Sequence, residues 1–590
     1  MLGPIFNREW LTVPRRTGHY VVRSSYLAFL WILGLTAWQS TVGWERPATI
    51  GDHARFSLFL FHGLTVLQLI LIPFFSALAA ASAVSREKDR RTFVLLLLTD
   101  LRSHEIVLGK LFGSLLPVVL LLFGTLPIMS LLLLLGGIAF HQVLFAGLVV
   151  LAAALAAGSL GNFMALWREK TFQVLALTLL AIIVYLGAIR LLFLVVPTPY
   201  QRWLDWFDPF ETLSNVLDAS TGATGVLGFL AIMLGLMTAL NGWAIHRLRV
   251  WNPSGEPIVQ REQPEATEEV DRLKAHAAPG RVREVWSNPI LWREIRTRAY
   301  GRRPILVKTA YFAAVALICL YVLAPAQPES GTPFLAAYGL VPVAIISFLL
   351  IGAQAVTSIT SERDSGALNL LLVTDLTPQE FIFGKLGGIA WNSKEYLIPP
   401  LVLTIVYAAM GLLATPPANH PELAPGKNWE AATCIITGTL LLAAFVAVLG
   451  VHVALRNENS RTAIIHTLAT VFFLSVGTLV CVYLILINGR FEAQWTSFIL
   501  FAFAGVGGMW WVLNGNRPTN ALVLASWLCP TSILYTVINI LVAKPGTRES
   551  TDPLIPFLFV SGAFGFTIAA MLVPLLSEFD VALGRTRAAE

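Results

Sequence analysis

Two stretches of the sequence carry the same acidic, basic and hydroxyl residues at the same spacing. Residues 85–113 read SREKDRRTFVLLLLTDLRSHEIVLGKLFG, and residues 360–388 read TSERDSGALNLLLVTDLTPQEFIFGKLGG. At a constant offset of 275, the shared residues include Glu87/Glu362, Asp89/Asp364, Thr99/Thr374, Asp100/Asp375, Leu101/Leu376, Glu105/Glu380, Gly109/Gly384 and Lys110/Lys385. Carboxylates beside a cation, Lys88 or Arg363, can form ion pairs with a docking partner or within the segment itself, and the alternative is that they are ordinary solvated loop charges. Ion pairing is the chemistry that this pattern indicates.

The local sequence also predicts how each stretch folds. Thr377 followed by Pro378 and Glu380 reads as a capping box with proline at the first helical position. The first stretch lacks this Thr and Pro, so we expect a weaker cap there, at Ser103. The shared Gly would allow close helix packing, and the shared Lys would anchor a membrane helix at the inner interface.

Other residues with possible chemistry are few and scattered. Gly109-Lys110 and Gly384-Lys385 lack the upstream Gly and the following hydroxyl residue of a nucleotide-binding phosphate loop. The four cysteines have neither metal nor disulfide spacing, and no catalytic cluster of His, Asp or Glu recurs. Arg190 lies inside a predicted membrane span, and Lys394-Glu395 begins another. Both are weaker candidates for substrate binding, because snorkelling or an interfacial position also explains them.

The elements that must position these residues are membrane helices. The chain has 590 residues, of which 56% are hydrophobic and 13% charged, and a mean hydropathy of +0.70, which excludes an ordinary soluble domain. The apolar runs are solid and do not alternate as barrel strands would. We therefore predict an all-α polytopic membrane protein. The predicted spans are 24–44, 56–84, 110–138, 143–166, 172–197, 224–247, 304–324, 335–358, 396–414, 431–455, 463–488 and 553–578.

The duplication extends beyond the charged stretch. Weaker matches link Pro4-Ile5 and Arg8-Glu9 to Pro289-Ile290 and Arg293-Glu294, Lys170-Thr171 to Arg461-Thr462, and Pro209 to Pro530. We therefore predict a first unit at 1–250, a linker at 251–282 and a second unit at 283–590, each unit with six spans. The growing offset predicts an insertion in the second unit, with two further apolar runs, 495–513 and 521–543, that either span the membrane or re-enter it.

Lys and Arg are concentrated in alternate loops, which predicts that both termini are cytoplasmic. Each unit crosses the membrane an even number of times, so the two units should share one orientation and be related by an axis along the membrane normal. The charged stretches of both units then lie between their second and third spans, on the cytoplasmic side.

The second stretch resembles ABC-2-type ABC transporter permeases. Their pattern, E-(R/K)-(D/E)-x-G-(T/A)-L-x-x-L-L-x-(T/S), followed by E-(I/F)-x-x-G-K, is matched by Glu362, Arg363, Asp364, Gly366, Ala367, Leu368, Leu371, Leu372, Thr374, Glu380, Gly384 and Lys385. In the first stretch Arg91 replaces the glycine. The segments around Pro209 and Pro530 are similar to the short interfacial helices that precede the last span in this family, and we expect them at the outer interface.

The resemblance implies a permease, usually an exporter, that is driven by ATP hydrolysis on a separate ABC ATPase subunit. The two charged stretches would be its coupling segments, and two ATPase subunits would bind, carrying the ATP and Mg²⁺. The chain itself would be no enzyme and would bind no cofactor, metal or nucleic acid. It would sit in the lipid bilayer of a bacterial cytoplasmic (inner) membrane. The transported substrate is left open, because a fold does not determine its cargo.

Three alternatives compete with this hypothesis. A twelve-span secondary transporter should carry intramembrane carboxylates for ion coupling, and the predicted spans contain few. A membrane-embedded enzyme needs convergent His, Asp or Glu residues near one face. The third alternative is a membrane scaffold that has lost transport.

Overall fold

The protein is described by a computed structural model. It describes residues 3–12, 17–43, 49–90, 92–218, 223–252, 285–296, 304–323, 332–372, 374, 376–413, 424–477, 503, 506–511, 513, 519–542 and 554–577. Every regular element within these residues is a helix. Nine of the helices they contain are long and apolar enough to cross a membrane. The chain is therefore an integral, multi-pass membrane protein.

We call residues 1–250 the first half and residues 283–590 the second half. The helices of the first half are Gly3–Thr12 (α1), Thr17–Thr41 (α2), Ile50–Asp89 (α3), Thr92–Leu98 (α4), Ser103–Gly124 (α5), Leu126–Leu135 (α6), Phe140–Trp167 (α7), Thr171–Val195 (α8), Thr198–Leu204 (α9), Pro209–Leu217 (α10) and Ala223–Trp251 (α11).

Nine further α-helices belong to the second half. They are Pro289–Arg296 (α12), Pro304–Leu323 (α13), Thr332–Asp364 (α14), Ala367–Leu372 (α15), Pro378–Ala409 (α16), Ala424–Arg456 (α17), Ser460–Phe472 (α18), Asn520–Val542 (α19) and Leu554–Ser577 (α20). A π-helical turn, Phe473–Gly477, continues α18.

Nine of the twelve predicted spans coincide with the nine long apolar helical stretches, one of which, Ser103–Leu135, comprises α5 and α6. The other three predicted spans fall on helices whose described residues, or whose apolar residues, make up a shorter stretch than in those nine. The span predicted at 24–44 lies on α2, that at 396–414 is the last part of α16, and that at 463–488 begins on α18. Residues 478–500 and most of the apolar run 495–513 lie outside the described residues, as does the linker after residue 252. The run 521–543 is helix α19.

The third predicted span, 110–138, is not one continuous helix. Helix α5 ends at Gly124 and α6 begins at Leu126, with Thr125 between them. Pro127 lies in the first turn of α6, where its missing N–H costs nothing but its ring prevents α5 from continuing unbroken. The Thr125 hydroxyl donates to the Leu122 carbonyl at 2.7 Å and so satisfies one acceptor at the end of α5.

Each half is built around one long helix, α3 or α14. Helix α3 packs against α5, α7 and α8, and α14 packs against α16, α17 and α18. The short amphipathic helices α1 and α12 pack along the starts of α5 and α16. Between the halves, the main contact joins α8 to α13.

Helix α3 is 40 residues long, about 60 Å at 1.5 Å per residue, which is about twice the thickness of a bilayer core. It is therefore longer than the bilayer core is thick. Its last turns lie beside the ends of α7, α14 and α17, since Lys88 donates to Leu166, Arg90 pairs with Asp364, and Arg363 donates to Ala454. We call this end of the molecule, where Lys88, Arg90, Arg363 and Arg456 lie with Asp89, Asp364 and Trp167, the basic end.

Candidate functional site

Each half has a short helix at the basic end, directly after its long central helix. These are α4 and α15, and the predicted threonines end both. The Thr99 hydroxyl donates to the Leu96 carbonyl at 2.6 Å, and the Thr374 hydroxyl donates to the Leu371 carbonyl. Such bonds satisfy carbonyls that the end of a helix leaves open.

The outer face of α4 is apolar. Leu95 and Leu98 are 63% and 66% exposed, whereas Phe93 and Leu97 are buried beneath the helix. Asp100 lies in the exposed bend that follows. An exposed apolar face at the basic end is a surface that a protein partner could cover.

The two leucines that follow the Thr-Asp pairs have a structural position. Leu101 and Leu376 are partly buried and pack against the core, which fixes the turn into the next helix. The predicted Asp375 lies outside the described residues.

The predicted capping box at the start of α16 is confirmed. The Thr377 hydroxyl accepts from the Glu380 N–H at 3.2 Å, and the Glu380 carboxylate accepts from the Thr377 N–H at 3.0 Å. The cap predicted at Ser103 is wrong, because the N-cap of α5 is Arg102. Glu105 accepts from the Arg102 N–H at 3.0 Å, so the first half keeps the glutamate part of the box.

Four charged side chains meet in the second half, which we call the second-half cluster: Arg293, Glu294, Glu362 and Lys385. The Lys385 ammonium lies 2.6 Å from Glu294 Oε1 and 2.8 Å from Glu362 Oε1. Arg293 pairs with both glutamates. The cluster therefore ties α12, α14 and α16 together at the basic end.

Burial distinguishes this lysine from the predicted interfacial anchor. The side chain of Lys385 is only 1% exposed, so it does not reach water or lipid headgroups. Burial by itself raises the pKa of the Glu294 carboxyl, but Lys385 and Arg293 lower it by more, so the pKa lies below its ordinary value. Glu294 is therefore held between two cations that favour its ionised form.

The matching residues of the first half, the first-half cluster, are Arg8, Glu9, Glu87 and Lys110. Here Lys110 pairs with Glu87, while Arg8 pairs with Glu9 at 2.8 Å. The side chains of Lys110 and Arg8 are 10% and 66% exposed, so this cluster is more open than the second-half cluster. A groove of about 530 Å³ lies beside it, lined by residues of α1, α3, α4 and α5.

Close helix packing at the predicted Gly384 is confirmed. A Cβ there would lie 2.8 Å from Ile290 Cβ of α12, and one at Gly388 would lie 2.5 Å from Glu294 Cβ. In the first half, a Cβ at Gly113 would lie 3.0 Å from Glu9 Cγ. Gly109 is buried in α5. The glycines let α1 and α12 approach closely enough for their charges to reach the clusters.

The cation between each pair of acids caps a neighbouring helix. Lys88 donates to the carbonyl of Leu166 at 2.6 Å at the end of α7. Arg363 donates to the carbonyl of Ala454 at 2.7 Å and also to that of Asn457, at the end of α17. A cation is favourable at a helix C-terminus, where carbonyls are unpaired and the helix dipole is negative.

The second acid of each pair lies where the two halves meet. Asp89 accepts from the Thr171 hydroxyl at the start of α8. Asp364 is buried and pairs with Arg90 of the first half at 3.2 Å. Glu87, Lys88 and Asp89 therefore have three different partners, as do Glu362, Arg363 and Asp364.

The predicted Gly366, which has a φ of +76°, ends α14. Its counterpart Arg91 lies outside the described residues.

A small cavity of about 30 Å³ lies between the halves. Its lining is apolar except for Thr178, and it comes from residues 74–81 of α3, 175–182 of α8, 349–353 of α14 and Leu468 of α18. Next to it, Phe74 of the first half stacks on Phe472 of the second, with ring centroids 4.5 Å apart.

The residues predicted at the outer interface have structural partners. Arg190 pairs with Asp208 at 2.8 Å and with Glu211 at 3.2 Å. Asp208 caps α10, and Pro209 is the first residue of that nine-residue helix. Pro530, in contrast, lies inside the 23-residue α19, which packs against α20.

The other candidates for substrate binding are also paired. Glu395 forms an ion pair with Lys308 of α13, and the Lys394 ammonium lies 3.5 Å from the centre of the Trp391 ring. These contacts join α16 to α13 and place a cation beside an exposed tryptophan, an arrangement typical of a membrane interface.

Sequence reasoning recognised Arg8-Glu9 and Arg293-Glu294 as repeated pairs but did not assign them to the site. Their repetition beside Glu87/Glu362 and Lys110/Lys385 was the signal, since charges that recur together in both halves can be partners. Among the described residues, no group of three His, Cys, Asp or Glu side chains could hold a metal ion.

Comparisons with protein-family models, curated proteins and solved structures find no match to this chain. Its function must therefore be argued from the arrangement at the basic end.

Proposed function

We propose that this chain is the membrane-spanning permease of an ATP-driven ABC transporter of the ABC-2 type. Its two halves are two copies of one permease unit, related by an axis along the membrane normal and fused in one chain. The basic end faces the cytoplasm, where α4 and α15 with their flanking residues couple the chain to a separate ATPase.

The observation that carries this proposal is the repetition of one arrangement at one end of the molecule. In each half, a short helix follows a long central helix, and a charge cluster ties the long helix to the next one. The long helices reach this end side by side, since Arg90 bridges to Asp364. A force applied to either short helix would therefore pass directly into membrane helices.

A feature of the sequence supports the expectation of a separate ATPase. Neither Gly-Lys pair belongs to a phosphate loop, so ATP and Mg²⁺ would be bound by two copies of the ATPase subunit. Export is the expected direction, and the bacterial cytoplasmic membrane is the expected location. A twelve-span secondary carrier and a non-transporting scaffold remain the competing proposals.

The exposed face of α4 provides the direct test. We would first establish whether an ABC ATPase is encoded beside the gene for this chain. We would then co-express that ATPase with the chain and change Leu95→Asp together with Leu98→Asp. Because these side chains face outward, the substitutions should leave the fold intact but abolish co-purification and the stimulation of ATP hydrolysis. The matched control is Val250→Asp, which places a carboxylate at a side chain that is 64% exposed at the basic end of α11.

A full complex and unchanged ATPase stimulation in the double variant would overturn the coupling assignment. Transport by the purified chain alone, driven by an ion gradient, would instead favour a secondary carrier. A stable complex in which the chain does not change the rate of ATP hydrolysis by the ATPase, and in which no export is measured, would favour the scaffold.

A further inference from the structure

Helix α16 carries charges in a stretch that is apolar in the first half. When the constant offset of 275 is continued along these helices, LPVVL at 116–120 of α5 corresponds to WNSKE at 391–395 of α16. Ionisable residues in or beside a membrane span are rare and often mark a functional site. The difference between the halves therefore singles out Lys394 and Glu395.

The level of these charges in the bilayer follows from α13, which begins at the basic end because it follows α12. Glu395 forms an ion pair with Lys308, which lies in the first turn of the candidate span Ile305–Val322. That span has 18 residues, about 27 Å at 1.5 Å per residue, so all of it is needed to cross a hydrocarbon core of about 30 Å. Lys308 and Glu395 therefore lie at the edge of the core, where the phospholipid headgroups begin.

Two buried tyrosines hold α13 against α16 at the same level. The Tyr311 hydroxyl donates to the Tyr396 carbonyl at 2.8 Å, and the two ring centroids lie 5.2 Å apart. Tyr311 is one turn from Lys308, and Tyr396 directly follows Glu395. The charged side chains therefore project from two helices that are fixed to each other.

The charges at this level do not cancel. Glu395 pairs with Lys308, whose side chain is 33% exposed. Within the part of the chain that the structure describes, Lys394 has no carboxylate at ion-pair distance, and its ammonium lies 3.5 Å from the centre of the exposed Trp391 ring. We call Lys308, Trp391, Lys394 and Glu395 the lysine site. With two lysines and one glutamate, it has one net positive charge.

An apolar surface lies one turn further into the membrane than each lysine. Residues four apart share a face of a helix, so Phe312 follows Lys308 on α13 and Ile398 follows Lys394 on α16. Phe312 and Ile398 are 48% and 50% exposed. A positive charge at headgroup level, next to exposed apolar side chains, is complementary to a lipid that has an anionic head and acyl chains.

We propose that the lysine site binds one anionic phospholipid from the leaflet at the basic end. The phosphate diester lies against Lys394 and Lys308, and the acyl chains lie along Phe312 and Ile398. The net positive charge of the site matches a lipid with one net negative charge, which favours an uncharged glycerol headgroup over a zwitterionic one. The site requires only this chain and a bilayer, so the proposal does not depend on any ATPase.

The test measures lipid binding to the purified full-length chain. Phosphatidylglycerol is added to the delipidated protein in mild detergent, and native mass spectrometry counts the bound lipid over a concentration series. The native chain should bind phosphatidylglycerol more tightly than phosphatidylethanolamine. Lys394→Gln should weaken phosphatidylglycerol binding about fivefold, the factor that corresponds to about 1 kcal/mol for one lysine near a membrane surface. It should also remove most of the preference over phosphatidylethanolamine.

The matched control is Lys170→Gln, which removes an exposed lysine at the same end but outside the lysine site and should leave the affinity unchanged. Glycerol 1-phosphate has the phosphate but no acyl chains, so it should not displace the lipid. Without added lipid, Lys394→Gln should melt at the same temperature as the native chain. If it melts lower, Trp391→Glu, which places a carboxylate one turn from Lys394 at an exposed position, should give the same loss of affinity.

Four outcomes would overturn the proposal. They are equal binding of the two lipids by the native chain, unchanged affinity in the lysine-site variants, an equal loss in Lys170→Gln, and displacement of the lipid by glycerol 1-phosphate. The last of these would identify a site for a soluble phosphate and not for a lipid.

Discussion

At the residue scale, Lys385 shows what a buried charge requires. An ammonium group removed from water loses its hydration, and only close opposite charges offset that loss. Lys385 has two such charges, Glu294 and Glu362, and also donates to the Ser358 carbonyl at 3.2 Å. If Lys385 is removed, Glu294 stays buried with only Arg293 beside it.

We therefore expect Lys385→Met to destabilise the protein by about 3–5 kcal/mol, the usual cost of breaking a buried pair from one side. The measurement is thermal or denaturant unfolding of the purified chain in detergent. The matched control is Lys110→Met in the first half, where the lysine is more exposed and has one paired carboxylate. Equal losses in the two variants would show that burial of the second-half cluster does not determine its contribution.

Glu294 gives the cluster a pH dependence whose sign follows from its lowered pKa. A carboxyl whose pKa is lower when folded than when unfolded binds fewer protons when folded, so it stabilises the fold above its unfolded pKa. This contribution is lost as pH falls through the folded value, in the range below about pH 4.3. The melting temperature of the native chain should exceed that of Glu294→Gln at pH 7, and the difference should shrink as the pH is lowered through this range. A difference that grows on acidification would contradict the assignment.

At the element scale, the approach of α12 to α16 depends on glycine. A Cβ at Gly388 would lie 2.5 Å from Glu294 Cβ, an atom that cannot move without its helix. A Cβ at the adjacent Gly387 would meet only the tip of Leu291, at 2.8 Å from Cδ1, and that side chain can rotate away. The two glycines therefore form a matched pair for testing helix approach.

Gly388→Ala should push α12 outward and separate Glu294 from Lys385, at a cost of about 1–3 kcal/mol, as for other overpacked cores. Gly387→Ala should cost less, because a rotamer change in Leu291 relieves the contact. The stabilities of the two variants would be compared by unfolding in the same detergent. A larger loss at Gly387 than at Gly388 would rule out close approach as the reason for the glycine.

The sequence predicted these elements unequally well. Apolar runs located nine of the long helices, and the Thr377–Glu380 spacing located the start of α16, because both signals are local. Hydropathy did not reveal that α3 extends to Asp89, since its last turns leave the apolar region while remaining helical. The break at Thr125 was also missed, because a proline inside a long apolar run does not show whether a helix bends or ends.

At the scale of the whole molecule, the sequence predicted the charged residues of the two repeated stretches as members of the site. It predicted neither their partners nor the membership of Arg8-Glu9 and Arg293-Glu294. The repeat singled out Glu87, Lys88 and Asp89 as one group, yet each of them contacts a different helix. Those directions depend on how the long helices pack, which no local pattern encodes. The link from Arg90 to Asp364 was out of reach for a further reason, because its counterpart Ser365 is uncharged and the repeat therefore gave no signal.

The contacts between the halves lead to a prediction about the linker. Gly187 of α8 lies against Leu317 of α13, Phe74 stacks on Phe472, and Arg90 bridges to Asp364. Packing of this kind, and not the hydrophobic effect, holds membrane helices together.

A protease site inserted between residues 253 and 284 should therefore yield, after cleavage, two fragments that still elute together in mild detergent. Combining the cut with Phe472→Ala and Arg90→Asp should promote their separation, since an aromatic pair alone contributes about 0.5–1.5 kcal/mol. Fragments that separate in the otherwise native chain would mean that the linker, and not these contacts, joins the halves.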